Sequence, residues 1–139
     1  MVETSAIVAI ILEEDGWQSL AEQIAETKSV TTCINVFEAT LAITRERQHK
    51  PTAALEIVQA ACESLDIQVV GVFPALIPLA VEARERFGAG RYGLNFGDCL
   101  SYAAARSHRA RLLYVGKDFA RTDVNDGRTG RMIAEGEHG

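Results

Sequence analysis

The chain has 139 residues, 47% of them hydrophobic, with a mean hydropathy of +0.03, which suits one soluble globular domain rather than a disordered or membrane-spanning protein. Its longest apolar run, Ala6 to Leu12, falls far short of the ~20 residues a transmembrane helix needs, and Glu3 rather than a basic segment precedes it, so a signal peptide is not expected and the cytoplasm is the default location. A net charge of -5 argues against a global basic surface for nonspecific DNA binding, but leaves RNA open as a substrate.

In chain order, Met1 to Glu3 reads as a short strand, followed by a helix from about Ser5 with Thr4 and Ser5 as N-cap candidates. Glu13 to Gly16 breaks it. A second helix from Trp17 to Glu26 sets Leu20 and Ile24 four apart on one face. Val30 to Cys33 is a β-branched strand, and Asn35 starts a helix to His49 with Phe37, Leu41 and Ile43 at apolar positions. Pro51 opens the next helix, ending near Leu65. Ile67 to Val72 is predicted as a buried parallel strand. Helices follow from Pro74 to Phe87, stopped by Gly88, and from Asn95 to Ser107. Leu112 to Val115 reads as a strand, Asp118 to Ala120 as one helical turn, and Val124 as the start of a last short strand. The stretch from Asn125 to Gly139 lacks periodicity and is expected to be a loose tail on a domain of residues 1–124. Short strands alternating with helices imply right-handed crossovers around a parallel sheet in one α/β domain.

Cys33, Cys62 and Cys99 form no CxxC pair and read as buried free thiols. His49, His108 and His138 are scattered, the first two near helix ends, where a cation suits the dipole. Gly88 to Gly93 matches GxGxxG, but that motif cradles a pyrophosphate only between a strand and a helix. Here it follows a helix, so a surface loop is expected; Arg91 and Tyr92 on it have the charge and ring to touch a nucleic acid.

In a parallel α/β sheet, ligands bind beyond the carboxyl ends of the strands. Glu3 ends the first predicted strand, and Asp118, Thr122 and Asp123 follow the Leu112–Val115 strand. Glu38 and Asp98 stand three residues after Asn35 and Asn95. Taken singly, each is first read as half of a capping box. Taken together, carboxylates converging on one spot would repel, and a divalent cation relieves that repulsion. An all-oxygen donor set suits Mg²⁺ or Mn²⁺, and such a site hydrolyses phosphodiesters. No Ser-His-Asp arrangement is visible, and Glu3-Thr4-Ser5 lacks the Asp-x-Asp of haloacid-dehalogenase-type phosphatases.

Val2-Glu3-Thr4-Ser5-Ala6 resembles the first motif of VapC-type PIN domains, Asn35-Val36-Phe37-Glu38 the second, Leu94-Asn95-Phe96-Gly97-Asp98-Cys99-Leu100 the third, and Gly116-Lys117-Asp118-Phe119-Ala120-Arg121-Thr122-Asp123 the closing stretch. The four stand in family order across residues 2 to 124. The resemblance implies a Rossmann-like three-layer α/β/α domain with a short central parallel sheet. It also implies Mg²⁺- or Mn²⁺-dependent endoribonuclease activity as the toxin of a type II toxin–antitoxin pair. A homodimer and a cognate VapB-type antitoxin belong to the same pattern. Carried over by position, Glu3, Glu38, Asp98 and Asp118 form the acidic set, with Glu3, Asp98 and Asp118 as metal contacts. Thr4, Ser5 and Thr122 supply orienting hydroxyls, and Asp123 is accessory.

The family's first acid is Asp where this chain has Glu3. The extra methylene moves the carboxylate by about one bond length, and catalytic geometry responds to ~1 Å. Two readings therefore stand: an active ribonuclease, or an RNA- or protein-binding module with impaired catalysis. Arg45, Arg47, Arg91 and Arg121 are candidate RNA contacts and equally ordinary surface cations.

Overall fold

The computed structural model describes residues 1–90, 93–120 and 122–123, and the strand backbone at 125–126 and 131–132. Chain contacts divide it into two units, Val2–Gly71 and Val72–Gly139 with Met1.

In the first unit, α1 (Thr4–Ile11) and α2 (Trp17–Ala25) precede β1 (Ser29–Thr32), α3 (Cys33–Arg47), α4 (Pro51–Ser64) and β2 (Ile67–Val70). Strands β1 and β2 pair in parallel, Ser29 opposite Ile67 through Thr32 opposite Val70. A parallel pair needs a long crossover, which α3 and α4 supply. Val2 adds a bridge to β1: its N–H donates to the Val30 carbonyl at 2.7 Å, and its carbonyl accepts from the Thr31 hydroxyl at 2.6 Å. This locks the backbone just ahead of Glu3. Helix α1 ends where Glu13 turns left-handed at φ 53°, and Gly16 at φ 86° redirects the chain into α2. Leu20 and Ile24 are the buried positions of α2, as their spacing predicts. Pro51 takes the first turn of α4, where its missing N–H costs nothing. Ile43 of α3 and Val58 of α4 are wholly buried, each contributing roughly 1.5–3 kcal/mol of apolar transfer.

In the second unit, α5 (Leu76–Phe87) packs on α6 (Phe96–Ser107). Every residue of α6 from Gly97 to Ala105 is buried, which explains its run of small residues: a helix enclosed on all sides needs short side chains where neighbours approach. Leu113 N–H donates to the Met1 carbonyl at 2.8 Å, and the Met1 amino group donates to the Arg111 carbonyl at 2.8 Å. Beyond it, β3 (Asn125–Asp126) pairs antiparallel with β4 (Arg131–Met132), so part of the expected tail is paired backbone.

The α/β class and nearly every helix stand where the sequence places them, and the differences are local. The N-cap of α1 is Glu3, not Thr4 or Ser5: its backbone is extended and its carboxylate accepts from the Ser5 N–H. Cys33 opens α3 and is exposed, since Thr32 is the better cap; Cys62 and Cys99 are buried as expected. Strand β2 stops at Val70 and exposes Gln68 and Val69 rather than burying both faces. Leu112 and Leu113 form isolated bridges in place of a longer strand, and Asp118 to Ala120 is a turn, closed by Ala120 N–H to the Lys117 carbonyl at 3.1 Å. Phe37 and Leu41 are exposed while Ile43 is buried. The strand expected at Val124 lies outside the described residues, as do Arg91, Tyr92, Arg121 and His138.

Candidate active site

The first unit brings two of the four acids together around consecutive residues. Glu3 is buried, and one of its carboxylate oxygens, Oε2, accepts from both the backbone N–H (2.8 Å) and the hydroxyl of Ser5. Glu38 Oε1 accepts from the Thr4 hydroxyl at 2.8 Å. Glu38 is therefore not a cap. The α3 cap is Thr32, whose hydroxyl accepts from Asn35 N–H at 3.1 Å, with Asn35 as the returning side chain. The Asn-x-x-Glu spacing misleads because Thr32, three residues earlier, takes the cap position and leaves Glu38 to turn toward α1. The Thr4 hydroxyl thus donates to one carboxylate, Glu38, and the Ser5 hydroxyl to the other, Glu3.

The second unit holds the other two acids in different settings. Asp98 is buried at the third position of α6, in a real capping box: its N–H donates to Asn95 Oδ1 at 2.9 Å, and its Oδ2 accepts from Asn95 N–H at 3.1 Å. Capping and a catalytic role are compatible, because a carboxylate has about four acceptor positions and the box uses Oδ2. The start of α6 is itself fixed by Arg84, whose Nη1 donates to the carbonyls of Gly88 (3.0 Å) and Leu94 (3.1 Å), while Leu94 N–H returns to the Phe87 carbonyl at 2.8 Å. Asp118 is exposed on the turn after the buried Tyr114, next to Phe119, whose ring packs on Tyr114 at 5.2 Å between centroids. Thr122 hydroxyl donates to the Phe119 carbonyl at 2.7 Å, closing the loop that carries Asp118. Among the described residues, no three His, Cys, Asp or Glu side chains are grouped closely enough to hold a metal ion.

Asp123 is buried and anchors the far end of that loop. Its Oδ1 accepts from the Tyr102 hydroxyl at 2.5 Å, and its Oδ2 from Arg86 at 2.8 Å and Arg106 at 3.1 Å. Burial pushes its carboxyl up, but the Tyr102 and Arg86 hydrogen bonds and the two guanidinium charges outweigh it and hold the group below its ordinary 3.8. Burial, and then the Asp123 hydrogen bond, push the Tyr102 hydroxyl above its usual range. Arg86 also stacks over the Phe87 ring at 4.7 Å. Sequence reading missed Tyr102, Arg86 and Arg106 in this cluster; only the Tyr102–Arg106 spacing, one turn apart on a helix, is a local signal.

The glycine stretch does not stand between a strand and a helix, the setting a phosphate cradle needs. It follows α5, and a Cβ at Gly93 would stand 2.3 Å from the Gly88 carbonyl oxygen, so Gly93 is needed for this close backbone approach. Arg45 and Arg47 are in the last turn of α3, and both are exposed. No helix among the described residues is long and apolar enough to cross a membrane.

A family model for the PIN domain matches residues 1–125. Among relatives, a VapC ribonuclease of Rhizobium meliloti (strain 1021) is 33% identical over 138 residues, covering 88% of this chain and 97% of the relative. Ribonuclease VapC28 of Mycobacterium tuberculosis is 34% identical over 128 residues, covering 89% and 94%. Ribonuclease VapC of Mycolicibacterium smegmatis is 30% identical over 126 residues, covering 89% and 96%.

Proposed function

The chain belongs to the PIN-domain family, and from that premise we propose that it is a metal-dependent endoribonuclease, the toxin of a type II toxin–antitoxin pair. The observation that carries this reading is local. Glu3 and Glu38, from distant motifs, are oriented by the neighbouring hydroxyls of Ser5 and Thr4, while Asp98 is fixed at the start of its helix. Such care over carboxylates is what catalysis asks of supporting groups. Glu3, Glu38, Asp98 and Asp118 are the proposed catalytic residues, and Glu3, Asp98 and Asp118 the proposed metal holders.

The donor set fits a hard cation: every proposed ligand is a carboxylate oxygen, with no thiol or imidazole among them. Mg²⁺ commonly takes one or two carboxylates and keeps several waters, so a small number of protein contacts suffices. When bound, Mg²⁺ or Mn²⁺ supplies Lewis-acid stabilisation and an acidified water for phosphodiester hydrolysis. The protein's part is to aim the carboxylates. Ser5 and Thr4 do this for Glu3 and Glu38, Thr122 closes the Asp118 loop, and Asp123 fastens its end as an accessory residue. Glu3 fits this part despite its length, because the extra methylene is taken up in folding the carboxylate back onto Ser5.

The same reading makes RNA the substrate, a VapB-type antitoxin the inhibitor, a homodimer the assembly and the cytoplasm the location, with residues 1–124 as the catalytic domain. The test is cleavage of a mixed set of structured RNAs by antitoxin-free protein in Mg²⁺, Mn²⁺ or EDTA, with Asp98→Asn alongside. Metal-dependent cutting that Asp98→Asn abolishes is expected. Folded protein that binds Mn²⁺ but cuts no RNA would favour the binding-module alternative. Failure to bind metal would sink the acidic site itself.

A further inference from the structure

We infer that Asn35 is a positioning residue, which directs the Thr4 hydroxyl proton onto Glu38 through a one-way chain of hydrogen bonds. The inference rests on Glu38 being one of the catalytic acids.

The direction of the chain follows from a donor that cannot reverse. Thr32 N–H lies 3.4 Å from one end of the Asn35 amide, and a backbone N–H only donates, so that end is the oxygen, Oδ1. The Thr32 hydroxyl accepts from Asn35 N–H at 3.1 Å as the cap of α3, and gives its own proton to the same Oδ1 at 2.7 Å. With Oδ1 facing Thr32, the other end of the amide is Nδ2, and it stands 2.9 Å from Thr4 Oγ1. An amide nitrogen donates, so Thr4 Oγ1 accepts there and its single proton must go elsewhere. Glu38 Oε1 is 2.8 Å away, whereas the rival acceptor, the Asn35 carbonyl, is at 3.5 Å, the outer edge of a hydrogen bond. Asn35 is 0% exposed, so solvent cannot reorient its amide.

The residue type is part of the argument. A capping box at this position needs only an acceptor, and Glu, Gln or Asp would serve. Asn35 serves the box with its oxygen and has an NH₂ left to point at Thr4. Aspartate has no such donor, although it matches asparagine in size. In Asn35→Asp the new carboxylate would keep the Thr32 contacts with one oxygen and present the other to Thr4 as an acceptor, drawing the Thr4 proton away from Glu38.

The test uses the full chain in the RNA-cleavage assay with Mn²⁺. Asn35→Asp and Thr4→Val should each lower kcat by about 10–100-fold with KM little changed, the range expected when a group that orients a site residue is lost. Because both break one chain, the double variant should lose no more than the worse single. Thr4→Ser, which keeps the hydroxyl, should recover most of the rate that Thr4→Val loses. A second readout needs no metal or substrate. By NMR of the metal-free protein, the Asn35 side-chain amide protons should exchange slowly, and faster in Thr4→Val. Wild-type kcat in Asn35→Asp and Thr4→Val, or losses that multiply, would overturn the positioning role. Full activity in Glu38→Gln would instead overturn the reading beneath it, while the exchange data would still report on the chain.

Discussion

Replacing Asp123 with Ala removes one acceptor from three donors at once. Tyr102 is 1% exposed, and its hydroxyl would lose the acceptor it donates to at 2.5 Å. An orphaned buried hydroxyl costs about 1–3 kcal/mol. The two arginines matter less: their side chains are 43% and 35% exposed, so water replaces much of what they lose, and each pair is worth roughly 0–1 kcal/mol. Together these give a loss of about 1–5 kcal/mol, a large share of a typical domain's margin. Urea unfolding of the wild type, Asp123→Ala, Tyr102→Phe and the double variant measures it. Tyr102→Phe should rescue part of the Asp123→Ala loss, since it removes the orphaned group. A loss within ~0.5 kcal/mol for Asp123→Ala would place the change among ordinary surface substitutions and refute the cluster's role. The same carboxyl has a pH signature. Its value in the folded chain lies below the ordinary 3.8, so its stabilisation is present above that value and is lost as pH falls through the folded one. Below about pH 4 the wild type should therefore lose stability more steeply than Asp123→Asn, which has no proton to bind there.

Two further outcomes follow from packing. Gly93→Ala would push a Cβ to 2.3 Å from the Gly88 carbonyl oxygen, a backbone atom that cannot step aside cheaply, and should cost roughly 1–3 kcal/mol by thermal or urea unfolding. A disulfide reagent at mildly alkaline pH should modify Cys33 quickly in native protein and reach Cys62 and Cys99 only on unfolding, because burial both shields those thiols and pushes them up. Fast reaction at a second thiol would contradict the packing of α4 or α6.

Helices were readable from the sequence because their signals are local: the Leu20–Ile24 spacing, Pro51 at a first turn, Gly88 after a last one. The weaker strands were not, since a strand is defined by its partner. Leu112 and Leu113 look like part of a four-residue strand but form only bridges, and nothing in Ile67–Val72 tells which residues lie under a neighbour. The same distinction divides the site. Its acids stand in recognisable motifs, whereas Tyr102, Arg86 and Arg106 meet Asp123 across 21, 37 and 17 positions, a pairing that no local pattern encodes.

Asn35 and Asn95 make the point most sharply, because both are followed three residues later by an acid. At Asn95 nothing upstream competes, so the local rule holds and Asp98 closes the box. At Asn35 a Thr stands three residues upstream, at the end of β1, where the chain is already extended as an N-cap must be. Thr32 therefore takes the cap, α3 begins with Cys33, and Asn35 moves to the third helical position. That shift has a chemical consequence. The acid released from capping, Glu38, lies just short of a full helical turn beyond Asn35 and meets Thr4, which Asn35 also touches. One competition between two caps thus decides whether a carboxylate ends as helix hardware or as a group turned toward another motif's residues.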